Sequence, residues 1–309
     1  MSSGVPTVFV VTATGSQGSA LCRQLRELGW CVRATVRNQD SASARALTDI
    51  GVTLNVGDWD DETALAAGVA GCDMLFLALV TSYGDFDAER IWALRILRLA
   101  RAAGVKQVVY TSAVSADAPE KRTLLPPDHL FAKALYCKNI IEGLVRRAGF
   151  EYWTILRPGF FMSNLLEPKV RIYPELVETG VWLTALTPET QIGLIDPEDI
   201  AAFAAAAFRG PERFHRHEID LVGERMTPGR MMELLSGAVG RQLEARFYTE
   251  EQIRASIITN PLIAVQFMLR EVASVDLEKV KSWGVRMGTF EKFLLRESSR
   301  SASLNQPLW

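Results

Sequence analysis

The chain has 309 residues, 48% hydrophobic and 23% charged, enough apolar material for a sizeable core in one or two domains. Its 34 basic and 36 acidic side chains leave a formal charge of −2, which argues against nucleic acid as a partner, since that partner selects a basic surplus. No apolar run reaches the roughly 18 residues of a membrane span, and the N-terminus lacks the charged-then-apolar layout of a secretory signal. Cys22, Cys31, Cys72 and Cys137 are far apart and form no Cys-x-x-Cys pair, so no metal site is expected and a cytoplasmic setting is.

Strand and helix signals alternate through the first 160 residues. The apolar run Val8–Val11 leads into a glycine-bearing turn at Thr12–Gly18, and Leu21, Leu25 and Leu28 then recur at helical spacing up to Gly29. Cys31–Val36 and Val52–Val56 read as strands on either side of a helix at Ala44–Ile50. Met74–Val80 is almost uninterruptedly apolar, the mark of a parallel strand buried on both faces. Helix Ala88–Ala103 precedes strand Val108–Thr111, and helix Leu130–Arg147 precedes strand Tyr152–Leu156. This rhythm predicts an α/β Rossmann fold, a doubly wound parallel sheet.

Beyond Arg157-Pro158-Gly159 the periodicity weakens across 160–190. Asp196-Pro197-Glu198-Asp199 opens a helix, with Asp196 as N-cap and Pro197 as first helical residue. His217–Val222 reads as a last strand, and the pattern is helical from Thr227 onward, with a capping box at Thr249-x-x-Gln252. His215 and His217 read as surface residues, and the apolar Leu308-Trp309 end is suited to docking. The expected division is a dinucleotide-binding domain at 1–160, continued by 191–222, with 161–190 and 223–309 forming a smaller, mostly helical lobe.

The turn Thr12-Ala-Thr14-Gly15-Ser16-Gln17-Gly18 joins a strand to a helix in a βαβ context. Glycines at 15 and 18 let backbone N–H groups approach a pyrophosphate, whose charge the helix N-terminus favours. About 20 residues further on, where an NAD-selective fold places an acid on the ribose, this chain has Arg37. A guanidinium there pairs with a 2′-phosphate, so NADP(H) is the expected cofactor. Asp58, just past the third strand, is either an adenine contact or an ordinary turn residue.

These features resemble the NmrA-like family, atypical members of the short-chain dehydrogenase/reductase superfamily. The resemblance runs through Ala13-Thr-Gly-Ser-Gln-Gly18, Val32–Arg37, Gly57-Asp58, Val109-Tyr-Thr-Ser112 and Lys138-Asn-Ile-Ile-Glu142. It continues in Leu156-Arg-Pro-Gly-Phe-Phe-Met-Ser-Asn164, Ile195–Ile200, Glu218–Glu224 and Thr227-Pro228. It implies a dinucleotide-binding oxidoreductase with Pro158 and Phe160 beside the nicotinamide and the substrate in the cleft between the lobes. The family usually has glycine at position 12. Thr12 therefore implies either an ordinary backbone conformation at that position or a reduced cofactor affinity.

Reductases of the wider superfamily use Ser, Tyr and Lys, with the Tyr four residues before the Lys. Here Ser112 and Lys138 match, while Ala134 stands at the tyrosine position. Three readings are open. Lys138 acts alone as acid/base, as the resemblance to isoflavone-reductase-like enzymes implies. Alternatively Tyr136, Tyr83 or His129 replaces the tyrosine. In the third, the protein does no hydride chemistry: it is an NADP(H) sensor or co-regulator with a protein partner, or a cyclase or rearrangement enzyme that holds NADP(H) without net turnover. A surface i,i+4 pair with Glu142 is the bland alternative for Lys138. Phe160, Phe161 and Met162 either line a site for a hydrophobic small-molecule substrate or belong to the core. The enzyme reading, in secondary-metabolite chemistry, is the one the resemblance favours.

Overall fold

A computed structural model describes residues 4–82, 84–117, 125, 128–270, 275–303 and 308–309. The first half runs β1 (Thr7–Val10), α1 (Ser16–Glu27), β2 (Cys31–Val36), α2 (Ala42–Asp49), β3 (Thr53–Val56), α3 (Glu62–Val69) and β4 (Met74–Ala78). It continues with α4 (Phe86–Ala102), β5 (Gln107–Thr111), α5 (Leu130–Arg147) and β6 (Tyr152–Pro158). Then come β7 (Phe160–Phe161), α6 (Pro174–Thr179), β8 (Val181–Thr184), β9 (Ile192–Ile195), α7 (Pro197–Arg209) and β10 (His217–Leu221). The last part holds β11 (Glu224–Met226), α8 (Pro228–Val239), β12 (Glu244–Phe247), α9 (Glu250–Ser256), α10 (Pro261–Leu269), α11 (Leu277–Lys281) and α12 (Phe290–Ser303). Two compact units result, one of Met1–Asp117, Ala134–Arg157 and Ile200–Ile219, the other of Ala118–Lys133, Pro158–Asp199 and Asp220–Trp309.

The first unit is built on a seven-stranded sheet ordered β10-β6-β5-β4-β1-β2-β3. The pairs β1/β2, β1/β4, β2/β3, β4/β5 and β5/β6 are all parallel. Reading from β3 gives 3-2-1-4-5-6, the doubly wound order that reverses between β1 and β4, and a crevice opens there at the strands' C-terminal ends. The sheet is anchored by fully buried Phe9, Leu75, Leu77, Val108 and Tyr110 against Ile96 of α4 and Ile141 of α5. Glu142, wholly buried on α5, accepts from Arg157 of β6 at 2.8 and 2.6 Å and from Arg146 at 2.8 Å. Arg146 also donates to Glu218 of β10 at 2.6 Å. A carboxylate without water is tolerable only with such partners. The network ties α5 to the sheet edge.

The second unit carries a three-stranded sheet ordered β11-β9-β7 and a parallel pair β12/β8. Its core gathers Met162, Leu165, Trp182, Met231, Leu235, Phe290 and Phe293. The helical reading from Thr227 onward is corrected by β12, whose pairing to β8 is a long-range contact invisible to local periodicity. The capping box is present, with Thr249 and Gln252 exchanging both bonds at 2.8 and 3.2 Å. The C-terminal Trp309 docks, its indole N–H donating to the Leu165 carbonyl at 2.9 Å. His215 is not a plain surface residue: its Nδ1 accepts from the Trp153 N–H at 3.2 Å and its ring packs edge-on to Tyr152. Burial holds its pKa below the usual histidine value.

Candidate dinucleotide site

The phosphate turn lies where the strand order reverses. Helices α2, α3 and α4 begin with a capping side chain, Ser41, Asp61 and Asp85 respectively. Helix α1 does not. It starts at Gly15 with no side-chain acceptor for its first turn, so the N–H groups of Gln17 and Gly18 are left to an external anion. A Cβ on Gly18 would stand 2.2 Å from the Thr12 carbonyl oxygen, so only glycine fits under this turn. The Gly15 N–H closes the turn on the Thr12 carbonyl at 2.9 Å.

Thr12 is held at φ +59°, in the left-handed region, which removes the expectation of an ordinary backbone conformation. Its hydroxyl donates to the Ala78 carbonyl at the end of β4. That bond joins the two strands flanking the crevice and offsets part of the backbone cost. Its methyl stands 2.9 Å from where a Cβ on Gly15 would lie, so the residue crowds the turn from within.

A groove of about 490 Å³ opens above these strand ends, lined by Thr12, Thr14, Thr35, Arg37, Asp58 and Ser82 among others. Arg37 is exposed on it. Asp58 serves as a turn residue, with Oδ1 accepting from the N–H groups of Asp60 and Asp61 at 2.8 and 3.0 Å, and it lines the groove as well. Gln17 Oε1 and Thr35 Oγ1 are buried without a hydrogen-bond partner, and an orphaned buried polar atom is costly unless a ligand or water completes it. The uncapped helix and the glycine-only turn both fit a bound dinucleotide.

Lys138 of α5 is buried beside the end of β4. Its Nζ donates to the Leu79 carbonyl at 3.0 Å and to the carboxylate of Glu89 on α4. The surface pair with Glu142 is therefore corrected: Glu142 belongs to Arg157 and Arg146. Ser112, just past β5, is buried with an unpartnered hydroxyl, and its N–H donates to the Leu156 carbonyl at 2.8 Å.

A profile of the NmrA-like family matches residues 5–293. The chain belongs to the NmrA-like family. Among its relatives is an NAD(P)H azoreductase of Xenophilus azovorans, 30% identical over 253 residues, 81% of this chain and 80% of the relative. A second, the (4-alkanoyl-5-oxo-2,5-dihydrofuran-3-yl)methyl phosphate reductase of Streptomyces griseus, is 28% identical over 84% of each chain. The fold is shared with the NADPH-dependent quinone oxidoreductase QOR2 of Escherichia coli in complex with NADPH, at a TM-score of 0.70. That pair is 23% identical, covering 94% of this chain and 99% of the other. It is shared too with NmrA, a negative transcriptional regulator in complex with NAD, at a TM-score of 0.74, 19% identity and coverages of 97% and 98%.

In this NmrA-like protein the remaining predicted residues divide sharply. Ala134 lies buried four residues before Lys138 and offers no proton, and Tyr136, half-buried, follows it on the same helix. Tyr83 lies outside the described residues. His129, in the second unit, has both ring nitrogens in use: Nδ1 accepts from the Phe131 N–H at 3.1 Å and Nε2 lies 3.2 Å from the Ile257 carbonyl. An accepting Nδ1 makes Nε2 the N–H end, so both nitrogens serve this local arrangement. Pro158 and Phe160 also fall in the second unit, where Phe160 pairs with Leu194 of β9. Met162 is fully buried there and Phe160 packs against the same cluster, so two of the three apolar loop residues are core. Phe161 is half-exposed under the Lys169 ammonium, 5.4 Å from the ring centroid. Among the described residues no cluster of three His, Cys, Asp or Glu could hold a metal ion, and no helix is long and apolar enough to cross a membrane.

Sequence reasoning missed Glu89. Glu89 sits in the first turn of an amphipathic helix, where acids ordinarily face water, yet it is fully buried. Its role depends on a lysine 49 residues away.

Proposed function

We propose that this NmrA-like protein is an NADP(H)-dependent oxidoreductase acting on a hydrophobic small molecule. The observation that carries the reading is the uncapped N-terminus of α1 at the sheet's reversal point, opening on a groove that Arg37 lines. Gln17 and Gly18 would hold the pyrophosphate and Arg37 the 2′-phosphate, with Thr14 and Ser16 on the same turn and Asp58 near the adenine. When bound, the dihydronicotinamide supplies a hydride. Lys138 would donate to a ribose hydroxyl and supply positive charge, and the unpartnered Ser112 hydroxyl would orient the polar group of the substrate. The names of the azoreductase and the phosphate reductase support an electron acceptor with a polarised double bond.

A second reading has one observation in its favour. Ala134 leaves the tyrosine position without a proton donor, and the fold is also that of a transcriptional regulator. In that reading the groove senses NADP(H) for a protein partner. Cofactor choice is tested by calorimetric titration of NADPH and NADH into wild type and Arg37→Ala. NADPH binds several-fold more tightly to wild type, and Arg37→Ala removes the preference by deleting a charge-assisted pair worth about 1.5–3 kcal/mol. Equal affinities in wild type would sink the assignment.

A further inference from the structure

Burying a carboxylate completely costs several kcal/mol unless a partner compensates it. Glu89 is 0% exposed, whereas Asp87 in the same first turn of α4 is exposed and already complements the helix dipole. Helix stability alone therefore gives no reason to bury Glu89. The ammonium of Lys138, which Glu89 Oε1 accepts from, does. An ammonium has three N–H donors, and two are directed at Glu89 and the Leu79 carbonyl. Those two bonds fix the orientation of the ammonium and with it the direction of the third N–H.

Glu89 has a second oxygen, and Oε2 is buried with no partner.

We propose that Glu89 is the positioning residue of this site: its carboxylate clamps the Lys138 ammonium against the Leu79 carbonyl and aims its remaining N–H at the dinucleotide. The inference rests on the dinucleotide reading of the crevice. It assigns to α4 a function that the sequence had given to α5 alone. Without Glu89 the ammonium loses its fixed direction.

The test is a double-mutant cycle on NADPH affinity by calorimetry, using wild type, Glu89→Gln, Lys138→Met and the double variant, each checked for folding by circular dichroism. Glu89→Gln is near-isosteric, and the double variant leaves no buried charge unpaired, so a foldable protein exists on each arm. Glu89→Gln is expected to weaken NADPH about tenfold, the worth of a charged hydrogen bond, and to add nothing once Lys138 is Met. Glu89→Asp recovers part of the loss. A readout without cofactor accompanies it: reductive methylation of Lys138, followed by peptide mass, runs faster in Glu89→Gln than in wild type. Additive losses, with Lys138 equally protected in both proteins, overturn the proposal and leave the dinucleotide reading standing. If no variant and not even wild type binds NADPH, the dinucleotide reading fails, and the methylation arm alone then decides whether Glu89 clamps Lys138.

Discussion

Thr12 is the residue at which the structure answers a question the sequence left open. A β-branched residue at φ +59° bears a backbone cost of about 1–2 kcal/mol, and its hydroxyl bond to Ala78 returns about 1 kcal/mol. Thr12→Gly should consequently hold folding stability within about 1 kcal/mol of wild type while matching or exceeding its NADPH affinity, because the methyl beside Gly15 is gone. Chemical denaturation and calorimetry on the same sample check both halves, and a clear loss of affinity would show that the threonine is a ligand and not an obstruction. Gly18→Val gives the opposite expectation. Its Cβ would meet the Thr12 carbonyl at 2.2 Å, so the turn must move and NADPH binding is lost even where the variant folds. A folded Gly18→Val with unchanged affinity means that the phosphates lie elsewhere.

At the scale of elements, local signals read well and long-range ones did not. The second strand was legible at both ends as Cys31–Val36, and so was the helix Leu130–Arg147, because apolar spacing and strand composition are written in adjacent residues. The same holds for Asp196, whose carboxylate accepts from the Glu198 N–H at 3.0 Å as an N-cap should. Helix α3, capped by Asp61, was not read from the sequence, since Glu-Thr-Ala-Leu-Ala-Ala-Gly-Val is too short and too evenly apolar to show a face. Glu89 was illegible for another reason: what makes it part of the site is the packing of α4 beside α5, which brings it to Lys138. The start of α7 carries its own prediction. Asp199 is buried and accepts from the Gly288 N–H at 3.0 and 2.9 Å, while Asp196 is paired with Arg296 at 2.6 Å. Burial pushes the Asp199 carboxyl up to about 7 from 3.8, with the Gly288 N–H opposing and the Asp196 charge reinforcing. A raised pKa means that the folded state binds the proton more tightly, so this contribution is full below the unfolded value and lost as pH rises through about 7. Asp199→Asn, which cannot ionise, is expected to gain stability relative to wild type between about pH 5 and pH 8. Thermal melts at the two ends decide it, and a difference that does not change with pH removes the argument.

For the whole molecule, family and fold were legible because they rest on motifs spread over nearly the full chain, from the phosphate turn to Thr227-Pro228. The chemistry was less so, since Ala134 removes the residue that would have named it. The central claim is that NADPH bound in this groove reduces a hydrophobic acceptor with Lys138 in the machinery. The most direct measurement is NADPH consumption at saturating cofactor with a panel of quinones, azo compounds and conjugated carbonyls, comparing wild type with Lys138→Met. The account predicts turnover of at least one class by wild type and a loss of roughly 10²–10⁴-fold in Lys138→Met, the usual worth of a positioned proton-transfer group. Tight NADPH binding with no acceptor consumed above background, or full turnover by Lys138→Met, would contradict it.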